Sequence, residues 1–169
     1  SDLMTNLYLT GFMAAGKTAI GQMLAKHLQR KWVDSDHLIE SRAGCSISEI
    51  FSNSGEASFR KLEANVIADL GNHKGLVVSL GGGALCNEEN LQSLKKSGTI
   101  IYLRANLKTL TRRIQAKPRP LLVGLKGAEF NERIESTLAK RKPFYERSDI
   151  LIDTDERTPQ QIVHLIGRQ

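Results

Sequence analysis

The run Gly11-Phe12-Met13-Ala14-Ala15-Gly16-Lys17-Thr18 fits the spacing G-x-x-x-x-G-K-[ST]. Glycine lets the backbone curl until successive N–H groups face phosphate oxygens. A helix starting behind such a loop adds roughly half a positive charge at its first turn. In that arrangement Lys17 reaches the β- and γ-phosphates of a nucleotide and the Thr18 hydroxyl ligates Mg²⁺. Ala14, Ala15, Gly16 and Ala19 complete the cradle around the phosphates. The flanks separate this run from a chance match. Residues 6–9 read as a short buried strand, and Ile20, Met23, Leu24, His27 and Leu28 recur at helical spacing.

Three further groups of residues carry chemistry. Asp34 and Asp36 follow the apolar pair Trp32-Val33 and, two apart in an extended segment, point the same way. One suits Mg²⁺ held through water; the other can orient a substrate hydroxyl or take its proton. Either could instead cap the next helix, a role Asp favours. Gly81-Gly82-Gly83 follows Ser79-Leu80 and permits close approach of backbone to a ligand, although a plain tight turn would use glycines too. Arg60, Arg119 and Arg141 carry planar forks that pair with carboxylates and phosphates.

These residues need a scaffold, and the chain encodes one. Apolar runs at 7–9, 32–33, 76–79, 99–103 and 150–152 read as strands buried on both faces. Helical stretches lie between them, which predicts a parallel sheet covered on both sides. Ser46-Ile47-Ser48-Glu49 reads as a capping box, Asn87 as an N-cap, and Thr158-Pro159 as a cap followed by proline in the first turn. Phe59, Leu62, Val66 and Leu70 form an apolar stripe that Gly71 ends. Residues 112–127, with two prolines and two glycines, read as a mobile lid.

Composition narrows the function. At 169 residues the chain is expected to form one domain, residues 1–169. Two distant cysteines and four scattered histidines give no metal-ligand spacing, so the thiols read as structural and the compartment as reducing. No apolar run spans a membrane, and the first strand leaves no room for a signal peptide; the expected location is the cytoplasm. The net charge of +6 arises in residues 104–147, which hold 12 Lys/Arg against 4 Asp/Glu. That segment lacks the repeated aromatic–basic interleaving of a nucleic-acid surface. A basic cover over ATP and an anionic substrate accounts for it.

Taken together and in this order, these segments resemble shikimate kinase. The resemblance runs from about Leu7 to Gly167. It rests on Gly11-Phe12-Met13, Asp34-Ser35-Asp36, the stretch Ser46-Ile47…Glu49-Ile50-Phe51…Gly55-Glu56…Phe59-Arg60…Leu62-Glu63, Gly81-Gly82-Gly83-Ala84, Arg119-Pro120-Leu121-Leu122 and Arg141…Pro143…Tyr145. It implies an α/β, three-layer P-loop NTPase fold with a five-stranded parallel sheet flanked by helices, a substrate-binding helical segment (34–62) and a lid (112–127). It implies transfer of the γ-phosphoryl of ATP to the 3-hydroxyl of shikimate, with Mg²⁺ as cofactor, in aromatic amino-acid biosynthesis. Lys17, Asp36 and Arg119 would be catalytic. Asp36, Arg60, Gly81, Gly82 and Arg141 would bind shikimate, with Glu63 orienting Arg60. Thr18 and Asp34 would hold the metal. Arg112, Arg119 and Arg157 would complete the ATP site. The resemblance further implies small-molecule partners only, no nucleic acid, no membrane and a monomer.

Three positions depart from the family pattern. Ala14 stands where glycine is common; a methyl is tolerated there if the backbone keeps a negative φ, and otherwise nucleotide affinity suffers. Leu80 replaces a small hydroxylated residue. Trp32 replaces a smaller aromatic and would crowd the substrate or pack beneath it. A gluconate or nucleotide kinase of the same fold is the nearest rival. A GTPase is disfavoured by the missing N-K-x-D guanine signature, and a basic nucleic-acid-binding module by the charge pattern.

Overall fold

Each of the five apolar runs forms a strand, and each intervening segment supplies at least one helix. The computed structural model describes residues 5–116, 125 and 127–168. In order the elements are β1 (Asn6–Thr10), α1 (Lys17–Leu28), β2 (Trp32–Asp34), α2 (Ser35–Ala43), α3 (Ile47–Leu70), β3 (Val77–Ser79), α4 (Glu88–Ser97), β4 (Gly98–Arg104), α5 (Leu107–Gln115), α6 (Gly127–Tyr145), β5 (Ile150–Asp153) and α7 (Pro159–Gly167).

The sheet is wholly parallel in the order β2-β3-β1-β4-β5. All of β3 and the middle of β4 are buried, so side chains on both faces meet helices. α1 packs against α7, and α3 against α4. Right-handed crossovers require this: the chain leaves β1 toward β2 on one face and leaves β3 toward β4 on the other. The sheet therefore reverses direction between β1 and β3, and a crevice opens at the carboxyl ends of those two strands. The loop at residues 11–16 follows β1 and the glycine triplet follows β3, so both arrive at this crevice.

Local signals set the helix ends. Ser46, Asn87 and Thr158 accept hydrogen bonds from first-turn amides, and the Thr158 box is reciprocal through Gln161. Gly71 does end α3, in a right-handed rather than left-handed conformation. Two expectations need correction. β2 ends at Asp34 and α2 begins at Ser35, so Asp34 and Asp36 do not share an extended segment. Residues 112–115, assigned to the lid, form the last turn of α5. The rest of that segment, Arg119 included, lies outside the described residues apart from Ala116, Leu125 and Gly127.

Within α3 the backbone breaks at Gly55 (φ 84°, ψ 171°), a conformation that glycine adopts without strain. Phe51 and Phe59 lie on either side of the kink with ring centroids 5.0 Å apart. The break separates residues 47–54 from the rest of α3.

Candidate active site

The chain leaves β1 through a tight loop. A side chain on Gly11 would drive its Cβ to 2.6 Å from the Leu103 carbonyl oxygen. Gly16, with φ 99°, precedes α1 at its N-cap. Ala14 lies between them at φ 66°, in the left-handed region. The condition for a harmless methyl is therefore unmet, at a cost of roughly 1–2 kcal/mol. Arg113 on α5 donates to the Ala14 carbonyl at 3.1 Å. No motif or spacing marks this residue; its neighbour Arg112, the expected adenine contact, is exposed on a different side of the same helix. The Lys17 ammonium donates to the Gly11 carbonyl at 2.6 Å. It also lies 3.7 Å from where a Cβ on Gly82 would stand, so it bridges the loop and the glycine triplet.

Each glycine of the triplet makes room for one charged group. A Cβ on Gly81 would collide with the Asp36 carboxylate. One on Gly82 would stand 2.7 Å from an Arg141 guanidinium nitrogen. One on Gly83 would stand 2.7 Å from Arg60 Nη2 and 2.8 Å from Nη1. The glycines act here through absent volume, not through φ. The Gly81 N–H is already donated to Ser35 Oγ at 2.9 Å, and the Gly82 carbonyl accepts from the Tyr145 hydroxyl at 2.5 Å.

One carboxylate and two guanidiniums thus line one wall of a cleft of about 370 Å³, a volume suited to a small metabolite. The N-terminal part of α3 adds Ile47 and Phe51 to the lining. Burial pushes the Asp36 carboxyl above its usual range, Asp34 and Glu40 add to that, and Lys17 and Arg60 pull against it. Its Oδ1 is enclosed with no hydrogen-bond partner among the described residues. A buried, unpartnered carboxylate oxygen is costly unless a ligand group bonds to it.

Arg60 is held from below. Glu63, 1% exposed, accepts from its Nη1 at 2.7 Å, and the Phe59 ring lies 5.0 Å from its Cζ. Burial raises the Glu63 carboxyl despite the pull of Arg60, while Arg60 itself stays firmly protonated beside Glu63. Arg141 stands over the Phe12 ring at 5.6 Å. Cys86 sits behind both arginines; burial pushes its thiol up to about 11, which keeps it neutral and unreactive. That agrees with the structural reading of the cysteines.

Two sequence-based assignments change. Trp32 lies outside the cleft: its indole N–H donates to Ser79 Oγ at 2.9 Å, in a gap that Gly21 on α1 leaves open. Leu80 is 1% exposed and belongs to the core. Asp34 caps α2, its Oδ1 accepting from the Asp36 and His37 amides at 2.8 and 3.1 Å. The capping alternative therefore holds for Asp34 but not for Asp36. Capping still leaves Asp34 a second carboxylate oxygen. That oxygen and the Thr18 hydroxyl are donors of the type Mg²⁺ takes, an ion that keeps most of its waters and shares phosphate ligands. On the far side, Arg157 donates to the Asp153 carbonyl at 2.7 Å, and Asp153 pairs with Arg104 at 2.6 Å.

Comparison with known proteins shows the family. The family model described as shikimate kinase matches residues 13–169. A shikimate kinase from Thermodesulfovibrio yellowstonii is 42% identical over 167 residues, covering 98% of this chain and 95% of that protein. One from a Sulfurihydrogenibium species is 41% identical, covering 96% of each. Among solved structures, shikimate kinase from Acinetobacter baumannii in complex with shikimate superposes with a TM-score of 0.90 at 34% identity, covering 99% of this chain and 93% of that one.

Proposed function

This chain belongs to the shikimate kinase family, an enzyme family that uses ATP to phosphorylate shikimate at its 3-hydroxyl, and we propose from that premise how its own residues divide the work. Arg60 and Arg141 clamp the carboxylate of the acid. Asp36 binds the ring hydroxyls and orients the one that attacks. Gly81 and Gly82 bring the backbone close enough for all three side chains to reach one small ring. The observation that supports this most is the triplet itself, whose missing side chains are replaced one for one by Asp36, Arg141 and Arg60.

The loop at residues 11–18, with Ala15, Gly16 and Ala19, cradles the phosphates of ATP. Lys17 leaves the Gly11 carbonyl to neutralise charge on the phosphoryl group as it moves. Mg²⁺, held beside Thr18 and Asp34, supplies further charge neutralisation on the phosphate oxygens when bound. A loose transition state demands little early proton removal. The raised affinity of Asp36 for a proton suits a group that orients the hydroxyl first and accepts its proton late. Arg119, outside the described residues, is assigned to closing over the phosphates; Arg112 and Arg157 are assigned to the adenine side. Leu107 and Leu151, the exposed large apolar side chains among the described residues, are too scattered for a subunit interface, which supports a monomer. Two free thiols support a reducing, cytoplasmic setting.

ADP release from ATP and Mg²⁺ tests the reading, with shikimate, gluconate or AMP as acceptor. Release should depend on shikimate, and Asp36→Asn should lower turnover far more than ATP affinity. Equal turnover with gluconate, or equal losses in both constants, would overturn the assignment.

A further inference from the structure

Tyr145 closes α6 with its side chain 0% exposed. A phenol buried this deeply needs a partner for its hydroxyl, and it donates to the Gly82 carbonyl. Its ring lies 5.0 Å from that of Tyr102 on β4, tilted by 32°, so the strand fixes where the hydroxyl can sit. Arg141 precedes it by one helical turn and covers the α-carbon of the same glycine. Gly82 is therefore gripped twice by one helix, at its carbonyl by Tyr145 and at its α-carbon by Arg141.

This grip has a geometric consequence. Three consecutive glycines carry no side chains to restrain their backbone. The peptide unit is planar and trans, so fixing the Gly82 carbonyl also fixes the Gly83 N–H on its opposite edge. It sets the plane against which both guanidiniums rest. We propose that Tyr145 is a positioning residue for the acid-binding wall: its hydroxyl holds the glycine turn in the single arrangement that lets Arg141 and Arg60 meet the substrate carboxylate together. The proposal rests on the reading of those two arginines as the carboxylate clamp.

Tyr145→Phe keeps the ring and its packing on Tyr102 and deletes only the hydroxyl. The KM for shikimate should rise about tenfold, the loss expected when a part-buried carbonyl is left without its donor and the turn is freed. The KM for ATP should stay within about twofold, and kcat should change less than the shikimate KM. A lowered unfolding midpoint with an unmoved shikimate KM would make Tyr145 a packing residue and overturn the proposal. Tyr102→Leu loosens the support of the ring but keeps the hydroxyl; it should shift the shikimate KM in the same direction by about threefold. If Tyr145→Phe does not fold, that shift decides alone, and its absence overturns the proposal. Arg141→Ala separates the two levels. If it raises the shikimate KM while both tyrosine variants leave it unchanged, only the role of Tyr145 falls. If it too has no effect, the clamp itself is wrong.

Discussion

The phosphate-binding loop and the acid-binding wall meet where Lys17 Nζ approaches the Cβ position of Gly82 to 3.7 Å, yet they are built by opposite means. The loop is eight consecutive residues whose geometry is stored in φ angles: 152° at Gly11, 66° at Ala14 and 99° at Gly16. The wall is side chains from α2, α3 and α6, gathered against three glycines that contribute by having no side chain. The two solutions suit their ligands. A triphosphate offers many equivalent oxygens, which a row of N–H groups and a helix end can meet in series. A small hydroxy-acid offers one carboxylate and a few directional hydroxyls, which need separate charged groups from different directions.

If the division is real, variants on each side should fail differently. The largest loss belongs to Lys17→Met, which removes the charge shared by both regions and should cut turnover by about 10³-fold. Asp36→Asn should follow at about 10²-fold in kcat with the ATP KM unchanged. Measuring both constants for both variants breaks the comparison if Asp36→Asn weakens ATP as much as Lys17→Met does.

Next comes Gly83→Ala. The new methyl meets the Arg60 guanidinium, the far end of a flexible side chain, so the fold should survive. Shikimate KM should rise about tenfold as the clamp opens, while the unfolding midpoint barely moves. A variant that loses stability without losing shikimate affinity would show that the glycines serve the turn and not the site.

Acidity sharpens the contrast further. Burial raises the Asp36 carboxyl, so kcat/KM for shikimate should fall on the acid side at a pH above the usual carboxylate range. Asp36→Asn should abolish that limb. Linkage gives a matching sign for stability. A carboxyl with a folded-state pKa above its unfolded value stabilises the fold most when protonated, and that contribution is lost as pH rises through the folded pKa. Asp36→Asn should therefore be more stable than the parent at neutral pH without ligand; the reverse order in a thermal melt would mean that Asp36 is better satisfied than its orphaned oxygen implies.

The smallest effect is expected at Ala14→Gly. Removing the methyl relieves left-handed strain, and the greater freedom of glycine in the unfolded chain offsets part of it, leaving a gain of about 1 kcal/mol. The ATP KM should fall or stay level while the shikimate KM stays fixed. A rise in ATP KM would mean that Ala14, with Arg113 on its carbonyl, rigidifies the loop to advantage.

The amino-acid sequence by itself determined the sheet, all five strands, and the phosphate-binding loop. Each is a contiguous run whose apolar pattern or φ requirement is local, and the caps at Ser46, Asn87 and Thr158 follow for the same reason. It also supplied Asp36, Arg60, Glu63 and Arg141, but as members of a resemblance: nothing in their spacing brings positions 36, 60 and 141 to one point. Tertiary structure alone decided the rest. It placed Trp32 under α1, because Gly21 opens a gap that only packing reveals. It put Asp34 on the α2 amides, since the extended segment stops at Asp34 and α2 begins at Ser35, before Asp36 is reached. It brought Arg113, Arg112's neighbour on α5, to the Ala14 carbonyl, because helical rotation turns adjacent residues to different neighbours. And it joined Tyr145 to Gly82 across 63 residues, a contact that exists only because α6 returns its last turn to the end of β3.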